Sequence, residues 1–241
     1  ALLNGLALGV VLATIVLAHL SEKSNDPGEA LKAVRPALRK ARFSGEIRVA
    51  GHSVVGLRPD QIASRGVART FQTLRLFQAM SVVENVMLGT HLGAQAPPPV
   101  PILLGLSASR RFEREAHERS MAALEALQIA DYAQETAGNL PYGVQKRVDL
   151  ARSLVANPSL LLLDEPAAGL TGAESQQLME LIRNLHAERD FALLLVEHDM
   201  QFVSDLCPRI TVIDFGKLLV EGTPEDVRQN RDVVAAYLGT G

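Results

Sequence analysis

A chain of 241 residues, 47 % of them apolar and with a formal charge of −3, is long enough for one α/β domain or one domain with an inserted lobe. No basic tract or aromatic-interleaved stripe interrupts this balance, so composition gives no footing for a nucleic-acid partner. The single cysteine, Cys207, excludes an internal disulfide and a multi-cysteine metal site. It fits a reduced cytosolic setting and reads as a small packed residue.

Ala1 to Leu20 contains no Asp, Glu, Lys or Arg. About twenty such residues can cross a bilayer as an apolar helix. The cationic bias that follows, at Lys23, Lys32, Arg35, Arg39, Lys40 and Arg42, would then keep the remainder on the cytosolic side. The same segment also suits a buried helix of a soluble core, with Gly5 and Gly9 allowing close packing. A cleaved signal peptide is disfavoured, because no basic n-region or small-residue cleavage site accompanies it. Asn25-Asp26-Pro27-Gly28 is a turn, and Glu29 to Arg42 has the periodicity of an amphipathic helix interrupted by Pro36.

Ser44-Gly45 opens an extended stretch over Glu46 to Val49, which resumes at Val54-Val55 after Gly51. Pro59 to Ser64 predicts a short helix, and Val67 to Phe71 a strand running into Gln72. Ser81 to Leu88 has helical spacing, Ala94 to Pro101 is a proline-rich loop, and Arg110 to Ile129 is a charged helix with Met121, Leu124 and Leu127 on one face. Lys146 to Ala156 predicts another helix. Strand 160–164, helix 173–188, strand 191–197, helix 200–206, strand 209–213 and its hairpin partner 217–220 follow. Thr223-Pro224-Glu225-Asp226 starts a helix, with Pro224 near its first position. This alternation predicts an α/β fold with a mostly parallel sheet.

Four leucines before Asp164 predict a strand buried on both faces. Ligands of open α/β sheets bind at the carboxyl edge of such strands. There Asp164 could hold Mg²⁺ through water and Glu165 could polarise a water attacking a γ-phosphate; alternatively the two acids only cap the next helix. Gly143 follows the Leu140-Pro141-Tyr142 turn and opens a helix, Val144 to Leu154, whose N-terminus suits a phosphate. His198, just past the strand Leu193 to Val196, is placed either to donate to a γ-phosphate or to serve structurally. Gln72 offers a neutral amide to Mg²⁺ or water, or simply to solvent.

Gln72, Leu140 to Arg147, Leu160 to Pro166 and His198 follow one another in the order and spacing of an ATP-binding-cassette nucleotide-binding domain. They resemble its Q-loop, signature helix, Walker B strand and switch histidine. Arg69-Thr70-Phe71-Gln72-Thr73-Leu74-Arg75-Leu76-Phe77, Pro141-Tyr142-Gly143 and Asp164-Glu165-Pro166-Ala167-Ala168-Gly169-Leu170 look most like cassettes of branched-chain amino-acid importers. The tail, Glu221-Gly222-Thr223-Pro224-Glu225-Asp226-Val227 through Ala235-Ala236-Tyr237-Leu238-Gly239, is similar to that group's C-terminal extension.

The resemblance extends over residues 44 to 240. It implies a P-loop-NTPase-like cassette core, here 44–241, with an inserted helical lobe at about 73–156, preceded by an atypical segment, 1–43, carrying the apolar helix. It implies ATP and Mg²⁺ as cofactors and ATP hydrolysis coupled to import of branched-chain or related amino acids. Glu165 would be the general base and His198 the phosphate sensor. Asp164 and Gln72 would face the metal, and Leu140, Gly143 and Gln145 a nucleotide held by a second cassette in a head-to-tail dimer. Thr73 to Phe77 and the lobe would meet a membrane permease at the cytoplasmic face, peripherally, with Ala1 to Leu20 as a further point of membrane contact. Leu74, Leu76 and Phe77 are otherwise ordinary packing residues.

The chain departs from the family in its phosphate cradle. A P-loop needs Gly-x-x-x-x-Gly-Lys-Ser/Thr so that backbone N–H groups and a lysine surround the phosphates. No such string occurs, and the one Gly-Lys pair, Gly216-Lys217, is followed by Leu218. Pro141 stands at the position of the signature serine, and Thr171 where a longer polar side chain is usual. These departures predict that the chain alone neither binds nor hydrolyses ATP well. They leave two further alternatives, a degenerate cassette that completes a partner's site and a truncated or chimeric product.

Overall fold

Three parallel strands bring the chain's acidic, amide and imidazole groups to one edge. They are β3 (Val67–Arg69), β4 (Leu160–Asp164) and β5 (Ala192–Val196), in the order β3-β4-β5. Val67 is level with Leu160 and Ala192, and Asp164 with Val196. The computed structural model describes residues 48–49, 52–54, 56–91, 107–214 and 217–238. The apolar segment Ala1 to Leu20, the amphipathic stretch Glu29 to Arg42 and the loop Ala94 to Pro101 lie outside the described residues.

Parallel neighbours need crossovers, and the β3-to-β4 connection here carries helices. α1 (Pro59–Ala63) precedes β3; α2 (Val82–Thr90), α3 (Ser107–Ala126) and α4 (Tyr142–Leu154) lie between β3 and β4 and pack on one another. α2 begins where Ser81 and Glu84 form a capping box, each side chain accepting the other's backbone N–H. Gly89 of α2 backs directly onto the Arg152 carbonyl of α4, so any Cβ there would collide with backbone. Leu124 and Leu127, fully buried at the end of α3 and just past it, join Val82, Val86 and Val148 in the same apolar cluster. Full burial of a leucine stabilises by about 1.5–3 kcal/mol.

Past β4 come α5 (Gly172–Glu188), then β5, α6 (Met200–Leu206), β6 (Ile210–Asp214), β7 (Lys217–Gly222), α7 (Pro224–Gln229) and α8 (Arg231–Leu238). β6 and β7 form an antiparallel hairpin, and β1 (Arg48–Val49) pairs antiparallel with β2 (His52–Ser53). Thr171 caps α5 through a box with Glu174, and Thr223 caps α7 through a box with Asp226. The substituted position Thr171 is therefore a helix cap.

The α/β class and the order of elements agree with the sequence. Three details are corrected. β4 is not buried on both faces: Leu161 and Leu163 are fully buried while Leu160 and Leu162 are half-buried, and β5 repeats this pattern. Among the described residues the sheet thus has one fully covered face, and continuous apolarity in the strands does not report which face is covered. β2 falls at His52–Ser53, where it pairs with β1, and Val54 lies outside it, while Val55 lies outside the described residues. α4 starts at Tyr142, since Pro141 fixes the extended turn before it. Among the described residues no helix is long and apolar enough to cross a membrane.

Candidate functional site

β4 delivers two carboxylates to the edge of the sheet in different ways. Asp164 is the last residue of the strand, level with Val196. Glu165, one residue on, turns out of it with φ +45°. Non-glycine residues in this left-handed region carry strain and occur at functional turns more often than elsewhere. The turn is held from its two sides: the Glu165 N–H donates to the Val196 carbonyl at 2.8 Å, and Lys146 Nζ donates to the Glu165 carbonyl at 3.2 Å.

Gln72 reaches the same carboxylate from the end of β3. Its Nε2 donates to Glu165 Oε2 at 2.7 Å, and His198 Nδ1 lies 4.0 Å from that oxygen. Gln72, Glu165 and His198, far apart in the chain, therefore converge on one oxygen atom. Asp164 stands beside them but is engaged by Arg69, whose Nη2 lies 2.8 Å from Oδ2. The Arg69 guanidinium also sits over the Phe71 ring, 4.9 Å from its centre.

Leu140, Gly143 and Gln145 lie at the opening of α4. Gln145 Nε2 donates to the Leu140 carbonyl at 2.8 Å, so this amide closes the turn on itself. Gly143 faces the Glu174 carboxylate so closely that a Cβ would stand 2.6 Å from Oε1. Pro141 caps α4 without any side-chain hydrogen bond, which leaves the helix terminus to be satisfied by something else. One turn further, Lys146 ties this helix to the Gln72 and Glu165 carbonyls.

Burial shapes the electrostatics. Partial burial raises the Glu165 carboxyl above its ordinary range; His198 opposes this, the Glu197 and Asp164 carboxylates add to it, and Lys146 opposes it again. Burial lowers the Lys146 ammonium, against the pull of Asp149, Glu197, Glu165 and Asp164. Burial likewise raises Asp149, which Arg152 counters through an ion pair. Arg152 also donates to the Arg75 carbonyl at 2.7 Å, so α4 braces the segment beyond Gln72. A carboxylate displaced upward is a better proton acceptor, provided it remains ionised at working pH.

Three supporting residues were given no role by the sequence. Glu197, fully buried, accepts the N–H groups of Ala167 at 2.9 Å, His198 at 2.9 Å and Asp199 at 3.4 Å. A glutamate at a strand end reads as exposed, and only the fold shows which N–H groups surround it. Lys146 reads as a solvated helix charge. Arg69 lies two residues before Phe71, so strand alternation places the two side chains on one face; the pairing with Asp164 becomes visible only when β3 lies beside β4.

The donors present suit a hard cation held mainly by water and phosphate, the way Mg²⁺ is commonly bound: the Asp164 carboxylate and the Gln72 amide oxygen are such ligands. Among the described residues no group of three or more His, Cys, Asp or Glu forms a ready-made metal cage. These two oxygens would thus supply part of a shell completed by nucleotide and water.

The sequence profile of the ABC transporter family matches residues 33–168, and that of the branched-chain amino acid ATP-binding cassette transporter matches residues 217–241. The "High-affinity branched-chain amino acid transport ATP-binding protein BraF" of Pseudomonas aeruginosa is 43 % identical over 198 residues, which cover 81 % of this chain and 76 % of that protein. LivG of Escherichia coli K12, with the same description, is 42 % identical over 195 residues, with 81 % and 76 % covered. The ADP conformation of MJ1267, a solved ATP-binding cassette of an ABC transporter, superposes with a TM-score of 0.69 at 22 % identity, covering 94 % of this chain and 87 % of that one. A nucleotide-free cassette gives a TM-score of 0.71 at 23 % identity, covering 94 % and 88 %. The fold is that of these cassettes, and the chain belongs to the ABC transporter family, among cassettes of the branched-chain amino-acid type.

Proposed function

We propose that the chain is the ATP-binding subunit of an importer for branched-chain or related amino acids, coupling ATP hydrolysis to transport. The convergence of Gln72 and His198 on the Glu165 carboxylate supports this most directly. In this reading Glu165 accepts the proton of the attacking water, its affinity for that proton raised by burial. His198 would donate to a γ-phosphate bound beside Glu165, and buried Glu197 fixes its backbone N–H. Asp164 and Gln72 would hold Mg²⁺ through their oxygens, and the ion would neutralise phosphate charge. Arg69 holds Asp164 Oδ2 and would compete with the ion for that oxygen.

Leu140, Gly143 and Gln145 belong, in the same reading, to a helix terminus that caps nucleotide held by a second cassette. The helical lobe, about residues 73–156, and the segment Thr73 to Phe77 would meet the permease at the cytoplasmic face of the membrane. Phe77, 57 % exposed, fits that role; Leu76 is buried and fits the packing alternative. The boundary between an atypical segment 1–43 and a cassette 44–241 is part of this proposal.

The missing lysine loop bears on the chain's own activity. No Gly-x-x-x-x-Gly-Lys-Ser/Thr string occurs in the 241 residues. One lost preorganised donor costs on the order of 3 kcal/mol of transition-state stabilisation, and a whole cradle more. A second reading follows, in which the chain completes the site of an intact partner cassette. The opening of α4 supports it, since Pro141 gives no side-chain cap and leaves the first N–H groups of the helix to solvent or a ligand.

ATPase assays of the chain, of a competent cassette and of the two mixed decide between the readings. Loss of activity in the mixture with Glu165→Gln supports the first. Loss with Gly143→Asp, while Glu165→Gln has no effect, supports the second. No gain on mixing contradicts the second reading, and no activity in any combination contradicts both.

A further inference from the structure

Lys146 is 6 % exposed, yet among the described residues its ammonium meets no carboxylate at hydrogen-bonding distance. Nζ points to two backbone carbonyls, Glu165 O at 3.2 Å and Gln72 O at 3.5 Å, with the Tyr142 ring 5.6 Å away. Burying an ammonium is costly unless its donors are used. Here they are used at the two residues whose side chains also bond each other, Gln72 Nε2 to Glu165 Oε2. The result is a closed ring, in which the backbones are joined through Lys146 and the side chains directly.

From this geometry we infer that Lys146 is a positioning residue: it holds Glu165 in its left-handed turn and aims the carboxylate at the edge of the sheet. The peptide groups on the two sides of the Glu165 Cα are pinned separately. The N–H is held by the Val196 carbonyl of β5 and the C=O by Lys146 of α4, with the Ala168 N–H as a second donor to that oxygen at 3.2 Å. Without the ammonium, one side of a strained turn is left to the Ala168 bond alone. Because Lys146 is on the turn after Gly143, movement at the opening of α4 is transmitted directly to the Glu165 backbone. This deepens the proposed function, and its catalytic meaning rests on Glu165 being the base; the conformational claim does not.

Two measurements without nucleotide test it. The first is amide exchange in the whole chain. Lys146→Met is expected to accelerate exchange at Ala168 about tenfold relative to the interior of α5, and Lys146→Arg to restore it. Equal acceleration everywhere, or none, overturns the inference. The second is the urea midpoint of Lys146→Met in two backgrounds, Glu165→Ala and Glu165→Gly. Alanine keeps the strain at φ +45° and glycine relieves it, so the shift caused by Lys146→Met should be at least halved in the glycine background. Equal shifts overturn the claim. If Lys146→Met does not fold, Lys146→Gln, shorter and uncharged, is carried through the same pair with the same criterion. Should Glu165 prove not to be the base, both results still stand, so the two failures are distinguishable.

Discussion

Arg69 Nη2 lies 2.8 Å from Asp164 Oδ2, so the carboxylate proposed to face a metal is already paired with a cation of the neighbouring strand. The register explains it: β3 and β4 are parallel, with Arg69 level with Leu162 and two residues short of Asp164. A long guanidinium spans that offset. Both side chains are about a quarter exposed, which keeps the energy of the pair moderate. Arg69→Met is expected to lower stability by about 1 kcal/mol in a urea titration. It should also tighten Mn²⁺ binding, read from the free-ion paramagnetic resonance signal. An unchanged Mn²⁺ affinity would show that the ion pair does not compete with the metal.

The displaced carboxyl of Glu165 gives a pH dependence with a definite sign. Its folded value lies above the ordinary 4.5, chiefly through burial. The folded state therefore holds this proton more tightly than the unfolded chain. The resulting stabilisation is full below pH 4.5 and is lost as pH rises through the folded value. Glu165→Gln removes this titration while leaving an oxygen to accept from Gln72. The difference in urea midpoint, wild type minus variant, should fall on going from pH 4 toward neutrality. A difference that stays constant, or that grows, contradicts the assignment.

Glu197 anchors two loops at once, taking N–H groups from Ala167 after β4 and from His198 and Asp199 after β5. Replacing it with alanine strands buried donors, and an orphaned buried polar group costs about 1–3 kcal/mol. Glu197→Ala should therefore destabilise by about 3 kcal/mol or more. Glu197→Gln should cost less, because one acceptor oxygen remains. The His198 ring resonance, followed by NMR, should broaden or shift in the alanine variant. If it does not move, Glu197 is a packing residue without influence on the histidine.

Gly89 tests the helix packing independently of the site. A Cβ there would run into the Arg152 carbonyl, a backbone atom that cannot swing away. Gly89→Ala should lower stability by about 1–3 kcal/mol through forced separation of α2 and α4, despite alanine's better helix propensity. Thermal unfolding measures this. A stabilised variant would mean that the two helices are further apart than described.

Much of the fold was legible because it rests on local signals. The Thr223-Pro224 start coincides with the opening of α7, and the apolar runs at Leu160 and Leu193 became neighbouring strands. What local pattern could not tell was coverage and pairing. The four leucines look alike in sequence, although Leu161 and Leu163 are buried and Leu160 and Leu162 only partly so. β3 ends as a strand at Arg69, yet the Thr70 N–H still bonds the Leu162 carbonyl at 3.0 Å, so the predicted extension toward Phe71 was close. In the site, Gln72, Asp164, Glu165 and His198 stood out through their order and spacing, which resemble those of an ATP-binding cassette. Lys146, Arg69 and Glu197 act through contacts between distant segments, and no spacing rule encodes those.

Nucleotide binding is the most direct test of the whole account, measured for the purified chain alone and again beside a competent cassette. If Glu165 is the base proposed here, a chain without a lysine loop should show no micromolar affinity for ATP on its own, and ATP turnover should rise on mixing above that of the competent cassette. Micromolar binding by the isolated chain would contradict the account.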